Sequence, residues 1–366
     1  MRMDTPSDPG STVGSGPLAG LLDRSEPLLA LAPMQDVTDL PFWRLLSQYG
    51  GPDVYWTEYF RVHSTSTLER PILECLHKNP TGRPAIAQLI GNDIPSLVRA
   101  ARELQHHPVA AIDLNLGCPA PVVYRKCAGG GLLREPKRID TILAALRDAI
   151  QKPGIAFTVK TRIGFDTPAV FEELLEIFAR NRPDLVTVHG RTVSEMYRTE
   201  VHYDFIGKAA RSLRMPVLAN GNVHSAERAA DVLEWTGARG LMIGRGCVRN
   251  PWIFDQIRDH LSGRPIRYPR GREVLQYVEA LYEATTPAES RERLQVEKMK
   301  KYMNFVGAGI PPFGAASTGP GGFLYQIRRA ETREEFFRVC ADFLAHDEPM
   351  TLIPPPDAPR VVHAAA

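Results

Sequence analysis

The chain is 366 residues long, room for one large barrel of about 250 residues and a smaller appendix. Hydrophobic residues make up 43% and charged residues 23%, the balance of an ordinary globular protein, and a net charge of +2 is too small to mark a nucleic-acid binder, so any such claim must rest on local charge. The five cysteines, Cys75, Cys118, Cys127, Cys247 and Cys340, form no CxxC pair and no metal-ligand spacing, and no apolar run reaches membrane-span length. A monomeric protein of the reducing cytoplasm, without metal or membrane, is expected.

Residues 1–26 begin rich in Pro, Gly and Ser, lack an apolar h-region, and read as a disordered leader. From residue 27 onward, strand-like runs alternate with amphipathic stretches. The runs are Leu28–Met34, Asp53–Tyr59, Pro84–Gly91, Ala111–Pro119, Phe157–Phe165, Leu185–Thr192, Pro216–Asn222 and Gly240–Gly246. Helical periodicity falls on Ile94–His106, Pro136–Ile150, Val170–Arg180 and Ser225–Trp235. This alternation predicts a (β/α)8 TIM barrel over residues 27–262. A doubly wound open sheet competes, but the turn Ala32-Pro33-Met34-Gln35 after the first run has none of that fold's glycine pattern. Past Ser262, a loop-like stretch with Arg264, Arg267, Arg270 and Arg272 leads into mainly helical sequence, an all-helical domain over 263–346. Residues 347–366 read as a flexible tail.

Parity within the strands sharpens the barrel reading. Thr158, Lys160 and Arg162 share one face against Phe157 and Val159. Thr187, His189 and Arg191 oppose Val186 and Val188, and Asp113 and Asn115 oppose Ile112, Leu114 and Leu116. In a barrel the apolar face meets the helices and the polar face the axis, with the latest polar residues at the rim where active sites are built.

The glycine turns Asn220-Gly221-Asn222 and Gly244-Arg245-Gly246 follow the seventh and eighth runs, the usual phosphate site of this fold. Either alone reads as a simple turn; together, with an arginine, they point to a phosphate-bearing ligand. A lysine directed into a barrel needs an anion, so Lys160 either pairs with a structural carboxylate such as Asp113 or serves a flavin edge that gathers negative charge. Gln88 can hydrogen-bond such a ring, and His189 with Arg191 suits a phosphate or a substrate. A free cysteine is more often a small buried hydrophobe than a catalyst. Cys118, bracketed by Gly117 and Pro119 at a rim loop, can instead act as general acid. On Arg291–Met303, the residues Met299, Tyr302, Met303 and Val306 form an apolar stripe that leaves Lys298, Lys300 and Lys301 on the other side. This is either a solvated face or a grip on RNA phosphates.

In order and spacing, residues 28–330 resemble the bacterial tRNA-dihydrouridine synthases. The resemblance rests on Ala32-Pro33-Met34 with Thr38-Asp39, Gln88 before Gly91, Asp113-Leu114-Asn115-Leu116-Gly117-Cys118-Pro119, Lys160-Thr161-Arg162, His189-Gly190-Arg191-Thr192, Asn220-Gly221 and Gly244-Arg245. It implies bound FMN, with Pro33, Met34 and Gln35 along the ring and Gln88, Lys160 and His189 hydrogen-bonded to it. Asn220, Gly221, Asn222, Gly244 and Arg245 would hold its phosphate. NADPH is implied as reductant, with hydride passing from flavin N5 to uracil C6 and a proton from Cys118 to C5. Asn115 and Arg162 would touch a uridine flipped out of tRNA. Within the family the chain is most similar to the synthase C branch, which acts on uridine 16, through Thr57-Glu58 with Arg61-Val62, Gly129–Gly131 before Leu132-Leu133, and Glu195-Met196-Tyr197-Arg198. That branch implies tRNA contacts around Arg61, Tyr197, Lys298, Lys300 and Arg328. The chain departs from the family at Gln35-Asp36, at Asn222 and at Leu116. The alternatives are an FMN barrel of dihydroorotate-dehydrogenase type acting on a small molecule, and a tRNA-binding folding helper. The first is separated by the tRNA dependence of turnover and the second by the effect of losing Cys118.

Overall fold

The computed structural model describes residues 16–312 and 315–354; the first part of the expected leader and the last part of the expected tail lie outside the described residues. Eight parallel strands close into a barrel: β1 (Leu28–Leu31), β2 (Val54–Arg61), β3 (Ala85–Ile90), β4 (Ala111–Leu116), β5 (Ala156–Arg162), β6 (Leu185–His189), β7 (Val217–Asn220) and β8 (Gly240–Ile243), with β8 pairing back onto β1. Most predicted runs overshoot their strand at the carboxyl end. There Pro33, Gly117, Gly164, Gly190, Gly221 and Gly244 turn the chain out of the sheet, and the overshoot is the rim on which the site is built.

The helices fall where the periodicity placed them and are fixed by local chemistry. Ile94–Leu104 is capped by the Asp93 carboxylate accepting from the Ser96 N–H, with a proline in its first turn. Ala226–Thr236 starts on Ser225, which accepts from the Arg228 N–H, and stops at Gly237, whose φ of 61° suits a residue without Cβ.

Strand parity divides the core into two nested layers, as expected. Leu29, Leu31, Ile112, Leu114, Phe157, Val159, Val186, Val188, Leu241 and Ile243 face the helices. Leu28, Ala30, Val54, Trp56, Ile86, Ala111, Leu185, Leu218 and Met242 fill the barrel axis at its amino-terminal end. Leu18, Leu21 and Leu22 of the helix Pro17–Leu22 join this inner layer and close the barrel floor. The leader expectation is thereby corrected for residues 17–22: three leucines spaced along a short helix cover apolar surface that water would otherwise meet.

The helices Gly271–Thr285, Glu292–Val306, Phe323–Ile327 and Arg333–Leu344 follow the barrel. Their buried Tyr277, Leu281, Met299, Tyr302, Phe336 and Leu344 belong to the same continuous core as the barrel's outer layer. The tail expectation is also corrected for its described part. Met350 and Leu352 are buried, the Met350 N–H donates to the Pro269 carbonyl at 2.7 Å, and Pro349 bridges to Arg270. Leu21→Ala should lower stability by about 3 kcal/mol, the cost of truncating a buried leucine in a tight layer, read as a shifted denaturant midpoint of the full chain. An unchanged midpoint would mean that the helix does not close the floor.

Candidate active site

Above the apolar floor the axis turns polar, and one carboxyl organises it. Asp113 on β4 accepts from the Thr158 hydroxyl at 2.6 Å and from the Gln88 amide at 2.7 Å. Gln88 Oε1 accepts in turn from Asn115 Nδ2 at 2.8 Å, and the Gly117 and Cys118 N–H groups both donate to Asn115 Oδ1 at 2.9 Å. This chain of bonds runs from the buried axis to the rim and fixes the backbone that carries Cys118. Gln88, expected at a flavin edge, is 0% exposed and engaged at both ends of its amide. Through its oxygen it holds Asn115.

Cys118 packs in a small apolar cluster with Tyr59, Ile90 and Val123. Burial pushes its thiol above the ordinary value, against hydrogen bonds from the Ala120 backbone and Tyr59 and the charges of Arg162 and Lys160. The thiol therefore keeps its proton at neutral pH. Tyr59 points inward because β2 carries one extra residue between Trp56 and Tyr59, which resets the strand's parity. Sequence reading missed Tyr59 for that reason. Arg162 is also less open than expected. It is 1% exposed and donates to the carbonyls of Gly117, Thr192 and Met196 at 2.8–2.9 Å, with the Tyr197 ring 5.3 Å from its guanidinium.

The two glycine turns meet. Asn222, at a φ of 48°, accepts from Arg245 Nη2 at 3.1 Å, and Asn220 Nδ2 donates to the Met242 carbonyl at 2.7 Å. Gly221 has a φ of 130°, and a Cβ there would lie 2.9 Å from Val201 and 3.2 Å from His189. A Cβ on Gly244 would meet the Met34 sulfur at 3.1 Å, so the loop after β1 lies directly against this cradle. Tyr203, not singled out from sequence, donates to the Gly221 carbonyl at 2.8 Å. Arg191 donates to the Thr199 carbonyl and stands 3.3 Å from His189 Nε2. Tyr197 lies over the cradle, its ring 4.5 Å from the Arg245 guanidinium and 6.0 Å from the His189 ring.

The mouth is strongly cationic. Lys160, half-buried, has no hydrogen bond or ion pair within the described residues, while Thr158 and Gln88 each donate to one Asp113 oxygen. Burial and the charge of Arg162 press its ammonium down to about 8, with Asp113 opposing. Burial and the charges of Arg162, Lys160, Arg191 and Arg245 hold His189 well below its usual range, so its imidazole is neutral. Such an arrangement accepts an anion and stabilises negative charge developing beside Lys160.

A family model described as dihydrouridine synthase matches residues 30–310. The chain belongs to the dihydrouridine synthase family. It is thereby an enzyme, an oxidoreductase by the reaction that gives the family its name. A tRNA-dihydrouridine(16) synthase from Neisseria meningitidis is 31% identical over 290 residues, 78% of this chain and 87% of that protein. A tRNA-dihydrouridine synthase B from Vibrio vulnificus is 36% identical over 241 residues, 64% of this chain and 72% of that one. Among solved structures, a histamine dehydrogenase from Rhizobium sp. 4-9 matches with a TM-score of 0.51 at 13% identity, over 70% of this chain and 48% of that one, a likeness of fold alone.

In this dihydrouridine synthase, four of the residues expected to meet RNA, Arg61, Lys298, Lys300 and Arg328, lie outside the hydrogen-bond chain that runs from Asp113 to Cys118. Arg61 is exposed at the end of β2, 5.4 Å from the Tyr59 ring. Arg328 is exposed and donates twice to Asn304 Oδ1. The expectation of three lysines sharing an open face holds only for Lys301. Lys298 donates to the Thr285 carbonyl at 2.6 Å and lies 3.7 Å from Asp39, and Lys300, its side chain only 15% exposed, pairs with Glu297 at 2.8 Å. A face turned towards its own chain's carboxylates spends its charge there. Among the described residues no group of His, Cys, Asp and Glu could hold a metal ion, and no helix is long and apolar enough to cross a membrane.

Because the folded protein disfavours the Lys160 charge, that charge costs stability below about 8, and the cost is relieved as pH rises towards the ordinary lysine value of 10.5. Lys160→Met should therefore raise the melting temperature of the ligand-free protein at pH 7, with the advantage narrowing between pH 8 and 10. A constant difference across that range would contradict the assignment.

Proposed function

We propose that this enzyme reduces the C5=C6 bond of a uridine in tRNA, the D-loop uridine 16, using FMN bound at the barrel mouth and NADPH as reductant. The observation that carries the reading is the juxtaposition of a protonated thiol, Cys118, with an ammonium, Lys160, left unpaired beside a glycine cradle. The fit of FMN is supported by that ammonium, by the buried Gln35 side-chain oxygen that has no hydrogen-bond partner, and by the cradle itself. Asn220, Gly221, Asn222, Gly244 and Arg245 hold the phosphate. Pro33, Met34 and Gln35 border the ring, and His189 and Lys160 hydrogen-bond it. FMN, when bound, supplies the hydride for uracil C6 and is recharged by NADPH.

The chain's own residues do the rest. Asn115 retains one N–H for the uracil, the other being given to Gln88. Cys118 gives its proton to C5 and is left as a thiolate, which Lys160 and Arg162 stabilise until solvent returns a proton. Arg162 holds the Cys118 loop through the Gly117 carbonyl, with the Tyr197 ring beside its guanidinium. The exposed Arg61 and Tyr197 line the approach of the flipped nucleotide, and the helices from Gly271 to Leu344 form the domain that holds the tRNA body, with Lys298 and Lys300 on Glu292–Val306 and Arg328 directly after Phe323–Ile327. Support for uridine 16 comes from the Neisseria meningitidis relative, whose name gives that position.

Cys118→Ala should keep bound FMN and its reduction by NADPH while losing about 10²–10⁴-fold in dihydrouridine formation on unmodified tRNA. Undiminished product would remove Cys118 as the acid. A dihydrouridine map of tRNA from cells lacking the gene should show loss confined to position 16. Loss elsewhere would shift the position, and unchanged tRNA with turnover of a small molecule would leave an FMN barrel of another activity.

A further inference from the structure

The segment between β1 and the helix Leu40–Ser47 carries Pro33, Met34 and Gln35, the residues placed along the flavin ring. It is conformationally demanding: Asp36 has a φ of 60°, the left-handed region that most side chains avoid. The next residue is gripped from two directions. The Val37 N–H is shared between the Met34 carbonyl at 3.1 Å and Glu58 Oε1, from β2, at 3.2 Å. The Val37 carbonyl accepts the Tyr302 hydroxyl at 3.1 Å, from the helix Glu292–Val306. Tyr302 is fully buried, and its ring stacks on Phe42 with centroids 6.3 Å apart. One turn earlier on the same helix, Lys298 reaches Asp39, the residue that caps Leu40–Ser47. Two residues far apart in sequence, Glu58 from the barrel and Tyr302 from the C-terminal helices, therefore hold the two peptide groups that flank Val37.

The chemistry of Glu58 suits that role. Burial, reinforced by the carboxylates of Asp39 and Asp36, pushes its carboxyl up to about 7. The acceptor oxygen is available in either protonation state, so a glutamine reproduces it closely.

We propose that Tyr302 and Glu58 are positioning residues for the flavin: by holding the peptide groups on either side of Val37 they set where Pro33–Gln35 meet the ring, and they make that seat depend on the docking of the C-terminal helices. The inference rests on the FMN reading above. Neither residue touches the reacting atoms.

The test uses the full chain and two measurements. Amide hydrogen exchange over residues 33–39, without FMN, reads the clamp itself. Titration with FMN, followed by flavin fluorescence and the visible spectrum of the bound form, reads its consequence. Tyr302→Phe and Glu58→Ala should each speed exchange in that segment and weaken FMN binding about fivefold, the effect of one hydrogen bond lost, with an altered visible band. Glu58→Gln should restore parent-like exchange, affinity and spectrum, a rescue that a general loss of packing would not show. Unchanged exchange in both disruptive variants overturns the clamp. Faster exchange with parent-like FMN affinity and spectrum overturns the positioning role. Should Tyr302→Phe unfold throughout, the Glu58→Ala and Glu58→Gln pair decides. A parent protein that takes up no FMN refutes the cofactor reading, and the positioning role with it, while exchange still reports separately on the clamp.

Discussion

The hydrogen bonds to Asp113 are the constraint on which the mouth of the barrel depends. A carboxyl sealed in the axis is costly unless its oxygens are met, and here Thr158 and Gln88 meet them from the strands on either side. The consequence reaches outward in steps. Gln88 has its nitrogen committed to Asp113, so its oxygen is fixed for Asn115, and Asn115 in turn is oriented to receive the Gly117 and Cys118 N–H groups. The Cys118 thiol on its rim loop thus inherits its position from a buried anchor. Such pre-organisation is what proton transfer to carbon requires, since the acid must be in place before the bond forms. Burial pushes the Asp113 carboxyl up to about 6, opposed by its hydrogen bonds and the charge of Lys160, so the anchor itself stays close to its switching point.

Thr158 and Gln88 satisfy Asp113, and Lys160 is left without an ion pair among the described residues. Had the carboxyl paired with the ammonium, the lysine would have been a structural residue and the mouth nearly neutral. Instead Lys160, Arg162, Arg191 and Arg245 sit around a neutral His189, and their mutual repulsion is part of what lowers the Lys160 and His189 values. Like charges held together in a partly desolvated site cost folding energy. They persist when a bound anion offsets that cost, which agrees with a phosphate in the glycine cradle and with negative charge gathering on a reduced ring.

How much of this was legible in the sequence follows from which interactions are local. Strand starts, helix spans and the parity of Asp113, Thr158, Lys160 and His189 are set within a few residues, and the sequence shows them. The glycine turns were legible because a backbone close to a ligand or a neighbouring loop needs glycine wherever it occurs. What was missed depends on long-range placement. The extra residue in β2 turns Tyr59 inward, and nothing in Trp56-Thr57-Glu58-Tyr59 announces it. The leucines of Pro17–Leu22 were hidden in a leader rich in Gly, Ser and Pro, although their spacing was a signal that could have been weighed. Sequence shows the residue type of Gln88 but not that its amide is bonded to Asp113 and Asn115. Lys298 was placed with Lys300 and Lys301 on one face, while its partner Asp39 lies across the fold.

That last contact bears on how the molecule is organised. The C-terminal helices share one uninterrupted apolar core with the barrel's outer layer, so their seating is fixed by the same packing that holds the strands. At the seam, polar contacts fall on the stretch from Val37 to Asp39 and on the Thr285 carbonyl. A unit attached through a flexible linker could move without informing the reaction site. One attached by a continuous core, and bonded to the loop that borders the catalytic mouth, cannot shift without moving that loop. The sequence distance between Tyr302 and Val37 is therefore the wrong measure of their relation. In the folded chain they form one hydrogen bond, and through it the appendix becomes part of the wall of the site.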